Sequence, residues 1–205
     1  MGNMSLPNQL TVLRILLSPV FLCLFNSQNK DIRFISFCVF TIAALTDWYD
    51  GVLARKYGFE TQWGKFLDPL ADKILTSFAF IAFLSVGFIE FWMFVVIVTR
   101  DIGITVLRSY AELKNKPVIT TYSAKVKTFI QMVVIFYVLF FYSIKDYQWF
   151  GDILGSAADY LLYPVFIKIM MIVVTILTLY TGIMYLIDNR KTIRDIYASS
   201  SQVSQ

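Results

Sequence analysis

Four aspartates, Asp47, Asp50, Asp68 and Asp72, lie in the stretch DWYDGVLARKYGFETQWGKFLDPLAD, which is bounded on both sides by strongly apolar sequence. An Asp at the centre of a membrane helix costs about 2.5–3.5 kcal/mol on insertion scales. A fold that takes four must gather them around something that offsets their charge, and bound divalent cations are the natural candidate. The plainer alternative, that they only flank a loop between two spans, leaves their spacing unexplained. At roughly 100° per residue, Asp47, Asp50, Gly51 and Ala54 share one narrow helical face, with Arg55 at its edge. Gly64, Asp68 and Asp72 follow at i, i+4 and i+8 on a second helix and also share a face. Residues 57–62 form the intervening turn, so the two faces can meet as a four-carboxylate cluster. An all-oxygen ligand set suits Mg²⁺ or Mn²⁺, and two such ions held by shared carboxylates suit phosphoryl displacement.

The rest of the chain reads as membrane protein. It is 58% hydrophobic with only 16% charged residues, and its mean hydropathy is +0.65. Six apolar runs approach spanning length: 10–25, 34–53, 64–86, 90–113, 126–144 and 164–187. The expected fold is therefore all-α, an integral membrane bundle of six transmembrane helices. One membrane domain covers residues 1–190, and a polar tail covers 191–205, ending in a Ser/Gln-rich segment expected to be disordered. Ser5 to Gln9 has turn and cap character. The first run lacks a basic leader and a cleavage site and is read as a retained helix, kinked at Pro19. Residues 147–163 are too polar to span and are expected to form an external loop. Cys23 and Cys38 are isolated in apolar runs and read as packing residues. The chain has no histidine, which excludes imidazole as base or ligand.

Lys and Arg are distributed unevenly between the two sides. Arg55, Lys56 and Lys65, then Arg108, Lys114, Lys116, Lys125 and Lys127, then Arg190, Lys191 and Arg194 all fall on one side. Lys30, Arg33 and Lys145 fall on the other. The positive-inside rule places both termini and the aspartate motif in the cytoplasm. The modest net charge of +4 carries no basic cluster away from the helix connections, so anionic small molecules are expected and nucleic acid is not.

A second polar group interrupts the fourth run. Arg100 and Asp101 lie well inside it, and Arg108 lies two turns further on. Lys125 and Lys127 begin the fifth helix, with Gln131 on the same face as Lys127. A buried Arg–Asp pair with ordinary positive flanks is one reading. A phosphate pocket built from Arg108, Lys125 and Lys127, with Arg100 in support, is the preferred one, because Arg grips phosphate bidentately and Lys adds point charge. Lys73 and Lys168 read as snorkelling or packing residues, and Arg14 as either a snorkelling end residue or a substrate contact.

The pattern D-x2-D-G-x2-A-R-x8-G-x3-D-x3-D, complete from Asp47 to Asp72, resembles the signature of the CDP-alcohol phosphotransferase family. The segments PNQLTVLR, RDIGITVLR and SAKVKTFIQ resemble the phosphatidylglycerophosphate synthase branch, although many of its members carry Glu where Asp101 stands. The resemblance implies a multi-pass cell-membrane enzyme, generally a homodimer among membrane lipids, with its site on the cytoplasmic side. It implies transfer of a phosphatidyl group from CDP-diacylglycerol to sn-glycerol 3-phosphate, releasing CMP. Asp47, Asp50, Asp68 and Asp72 would hold two Mg²⁺ or Mn²⁺ ions, with Asp72 also the general base. Asn8, Thr11, Arg14, Gly51, Ala54, Arg55 and Gly64 would serve the donor. Arg100, Arg108, Lys125 and Lys127 would serve the acceptor phosphate. Inositol phosphate, serine or phosphatidylglycerol are the alternative acceptors. A cation transporter is the alternative outside the family, but it would need acidic groups along a route across the bilayer rather than at one side.

Overall fold

The structure, a computed structural model, describes residues 6–57, 62–114, 118, 122–154 and 160–194, with side chains described for 9–46, 67–114, 118, 122–150, 152–153 and 160–194. The elements are α1 (Leu6–Phe25), α2 (Lys30–Tyr57), α3 (Gln62–Ser85), α4 (Phe91–Leu113), α5 (Tyr122–Ile144), α6 (Gln148–Leu154) and α7 (Pro164–Asp188). Among the described residues every regular element is a helix.

Local chemistry sets several of these boundaries. Asn29 accepts the Asp31 amide at 2.8 Å and caps the start of α2, where Asp31 also faces the positive end of the helix dipole. At the end of α3 the chain turns through Gly87, whose φ of +80° a residue with a Cβ adopts only under strain. The Phe88 amide then returns to the Phe83 carbonyl at 2.9 Å and closes the helix end. Pro164 opens α7 at a position whose N–H has no helical partner in any case.

Cross-helix contacts fix the directions. Ser85 donates to Asn26 at 2.7 Å, so α1 and α3 end together. Arg33 pairs with Asp146, and Tyr147 donates to Asp31 at 2.7 Å, so the start of α2 meets the end of α5. Lys168 pairs with Glu90, so α4 and α7 start together. The six long helices thus alternate in direction around one core. Phe21, Phe40, Phe80, Phe83, Ile97, Ile135, Leu139 and Met171 are fully buried there, and the rings of Phe21 and Phe40 lie 5.2 Å apart.

α7 shows the environment most clearly. Its inward face carries Thr175, Thr178, Thr181 and Gly182, while Ile169, Val173, Ile176, Leu179 and Ile183 point outward. Each threonine hydroxyl returns to its own helix, as Thr178 does to the Val174 carbonyl at 2.7 Å. A buried face that mixes these small and polar residues with Ile167, Met171 and Val174, beneath an outer face of large aliphatic side chains, suits helix packing in lipid. On length and composition, α5 and α7 qualify as candidate membrane spans among the described residues, and residues 9–25 form a shorter apolar helix. In α3 and α4, charged side chains within the apolar run lower the mean hydropathy; Lys73, Arg100 and Asp101 are examples.

Two expectations need correction. Helix α1 already begins at Leu6, so the turn expected at Ser5 to Gln9 lies within the helix from Leu6 onward. The connection expected as a loop contains α6, whose Phe150 is buried against Phe141. Residues 190–194, at the start of the polar tail, are helical, with the Ile193 amide donating to the Asn189 carbonyl at 3.0 Å; the Ser/Gln-rich end lies outside the described residues.

Candidate active site

The alternating topology brings the starts of α1, α3 and α5 and the ends of α2, α4 and α7 to one end of the bundle. The aspartate motif and the second polar group, separate in sequence, therefore share that end.

Within the motif, Asp68 and Asp72 lie one turn apart on α3 and are both half-buried. The Thr11 hydroxyl of α1 donates to Asp68, which joins a residue expected at the donor to one expected at the metal. Asp72 faces the Lys73 ammonium at 2.9 Å. Arg14 is buried inside the bundle at 1% exposure, whereas a snorkelling head would reach the surface. The side chains of Asn8, Asp47, Asp50, Ala54 and Arg55, and the surroundings of Gly51 and Gly64, lie outside the described residues. So does the meeting of the four carboxylates.

Beside Asp72 opens a cavity of about 690 Å³. Its charged wall consists of Asp72 and Lys73 from α3, Arg100, Arg108 and Glu112 from α4, and Lys125 from α5. Arg108 is half-exposed and pairs with Glu112 one turn on, with Nε to carboxylate at 3.0 Å. Arg100 reaches back to the Thr181 hydroxyl at 2.9 Å. Four cations against two carboxylates leave the wall net positive, next to the last aspartate of the motif. Such a chamber favours a small anion with a reacting group held close to Asp72.

Behind this wall lies a dry polar cluster. Asp101 is 4% exposed and accepts Lys127 at 2.6 Å, Arg100 at 3.1 Å and Gln131 at 3.0 Å. Lys127 is 2% exposed and is absent from the cavity wall. The structure thus joins the two readings of this segment. Arg100, Arg108 and Lys125 line the cavity, while Lys127 is engaged by Asp101, the hub that ties α4 to α5.

Lys73 and Tyr185 are among the wall residues that the sequence reading did not place there. Lys73 read as a packing residue because it follows the motif in an apolar run, yet it faces the cavity. Tyr185 lies near the end of α7, far along the chain from the other groups, and no spacing pointed to it. Its place in the wall follows only from α7 packing against α4.

Among the described residues the chain is an all-helical bundle of apolar helices, with an aspartate-bearing helix pair and a cationic chamber at one end. The chain belongs to the CDP-alcohol phosphatidyltransferase family, whose sequence profile matches residues 4–180. It is 40% identical over 134 residues to a protein of Mycobacterium tuberculosis named probable phosphatidylglycerophosphate synthase, a match covering 64% of each chain. Over 128 residues it is 37% identical to the CDP-diacylglycerol–glycerol-3-phosphate 3-phosphatidyltransferase of Rickettsia typhi, covering 62% of this chain and 72% of that one. A Bacillus subtilis protein of the same name is 34% identical over 143 residues, covering 64% and 74%.

Proposed function

We propose that the chain is a CDP-diacylglycerol–glycerol-3-phosphate 3-phosphatidyltransferase of phospholipid biosynthesis, forming phosphatidylglycerol phosphate and CMP. The observation that carries this reading is the cavity in which Asp72 adjoins Lys73, Arg100, Arg108 and Lys125. A phosphorylated acceptor placed there has its phosphate on the cations and its hydroxyl toward the carboxylate. The names of the relatives support glycerol 3-phosphate as that acceptor.

Asp68 and Asp72 supply oxygen donors one turn apart, and the Thr11 hydrogen bond fixes the orientation of Asp68. This donor chemistry fits a hard divalent cation. Asp47, Asp50, Asp68 and Asp72 would hold two Mg²⁺ or Mn²⁺ ions, which when bound offset the charge of the donor diphosphate. Asn8, Thr11, Arg14 and Arg55 would contact the nucleotide and its phosphates, and Gly51, Ala54 and Gly64 would let the cytidine approach the backbone. Asp72 takes the proton from the acceptor hydroxyl as its oxygen bonds to the phosphatidyl phosphorus. The bond from that phosphorus to the CMP oxygen breaks, and CMP leaves with the electron pair. Arg108 and Lys125 hold the acceptor's phosphate, and Arg100 closes the inner wall. Lys127 acts behind them by keeping Asp101 and Arg100 in place.

All six long helices would cross the cell membrane with both termini and the site on the cytoplasmic side. The cationic residues of the cavity and those of the tail lie at the same end of the bundle, which agrees with the positive-inside rule. A homodimer embedded in membrane lipid is the proposed assembly.

The test is CMP release by purified protein given CDP-diacylglycerol and Mg²⁺ or Mn²⁺, comparing glycerol 3-phosphate, inositol phosphate, serine and phosphatidylglycerol as acceptors. Metal-dependent release with glycerol 3-phosphate alone is expected. Release with a different acceptor alone would overturn the acceptor assignment and leave the aspartate roles standing.

A further inference from the structure

We propose that the Tyr185 hydroxyl is an acceptor-recognition group, donating a hydrogen bond to an oxygen of the phosphomonoester bound in the cavity. The proposal rests on the reading of the cavity given above and adds a recognition element from the last helix.

Tyr185 is 2% exposed and is one of the residues lining the cavity. Its Oη is buried and has no hydrogen-bond partner among the described residues. A buried phenol left unpaired is costly, and buried tyrosine hydroxyls usually find a partner. The charged groups that bear on it are Arg108, Glu112 and Arg100. Both guanidiniums are donors only, so neither can accept the phenolic proton. The Glu112 carboxylate is engaged by Arg108. Arg100 Nε is likewise buried and without a partner. Tyr185 and Arg100, from neighbouring helices, both line the one cationic cavity, and each carries an unpaired donor. An anion with several acceptor oxygens satisfies both at once, and a phosphomonoester is such an anion. Serine, a zwitterion, brings a carboxylate but no net negative charge to match the cationic wall.

The isosteric substitution Tyr185→Phe separates recognition from packing. Binding of glycerol 3-phosphate and of inorganic phosphate to purified protein in detergent is measured by titration calorimetry, alongside Tm without ligand and the kinetics of CMP release. The expected result is a Kd for glycerol 3-phosphate raised about tenfold, equivalent to about 1.4 kcal/mol, with Kd for CDP-diacylglycerol unchanged. Tm without ligand stays level or rises, because an unpaired buried hydroxyl has been removed. The KM for glycerol 3-phosphate rises with kcat nearly unchanged, as loss of uniform binding requires. An unaltered Kd in the variant overturns the proposal, as does a fall in Tm with ligand affinity intact. If the unmodified protein binds glycerol 3-phosphate but releases no CMP with it, the transfer reading fails and the comparison of Kd values still decides the role of Tyr185. If it binds no phosphomonoester at all, both fail.

Discussion

The Lys127 ammonium sits 2.6 Å from the Asp101 carboxylate, with both side chains at most 5% exposed. Lys127 is thereby a structural cation held two helices together, not a free hand in the cavity. Removing only one partner leaves an uncompensated charge in a dry interior. Asp101→Leu is expected to cost about 3–5 kcal/mol, and Lys127→Met added to it to recover most of that loss. Thermal unfolding in detergent of the two single variants and the double variant measures the coupling.

Asp72→Asn keeps the side-chain volume and removes the proposed base. Turnover is expected to fall by about 10²–10⁴-fold, the usual contribution of a positioned acid–base group. Donor affinity, read by calorimetry with CDP-diacylglycerol and Mg²⁺, is expected to stay within a few-fold. Loss of donor binding in this variant would make Asp72 chiefly a metal ligand.

Arg108 is half-exposed, and its protein partner Glu112 lies one turn further along the same helix. Arg108→Gln should change stability by no more than about 0.5 kcal/mol, as for most surface changes. The KM for glycerol 3-phosphate should rise by an amount equivalent to about 1.5–3 kcal/mol, the worth of a hydrogen bond to a charged group. Arg108→Lys should restore it only in part, since the bidentate grip is lost. Steady-state kinetics at fixed CDP-diacylglycerol tests both variants.

Gly182 gives Arg100 its course across the α4–α7 interface. A Cβ at this position would lie 3.0 Å from Arg100 Cγ. Gly182→Val therefore pushes the guanidinium away from Thr181 and the inner wall. The expected cost is about 1–3 kcal/mol in stability from overpacking, with a raised KM for the acceptor. Unchanged acceptor kinetics in a folded variant would remove Arg100 from the site.

At the opposite end, Lys168 and the Trp92 indole both donate to Glu90, and these contacts hold its carboxyl below the ordinary value of 4.5. A depressed carboxylate stabilises the folded state above its unfolded pKa and loses that contribution as pH falls through the folded value. Tm is therefore expected to decline on acidification below about pH 4.5 through this pair. The decline attributable to it should disappear in Glu90→Gln, with the scans run at low salt because the pair is exposed.

Much of the site was legible as type and spacing. The Asp68 and Asp72 interval sets both carboxylates on one face of α3, since helical periodicity is a local property. Arg100, Arg108 and Lys125 were legible as cations where an apolar run tolerates none without cause, and the structure gathers them in one wall. The four-carboxylate meeting of α2 with α3 falls on side chains outside the described residues and stands as proposed. Lys73 and Tyr185 were not legible, because a lysine after a motif and a tyrosine in an aromatic-rich chain carry no periodic mark.

The sequence by itself determined the helices and the family. These depend on composition and on intervals within single helices. Only the tertiary structure decided how the charges are spent. It gives Lys127 to Asp101 and Lys73 to Asp72, and it brings Tyr185 of α7 beside Arg100 and Arg108 of α4. Whether a buried cation meets a carboxylate or an open cavity depends on which helix packs against it, and no interval along the chain encodes that.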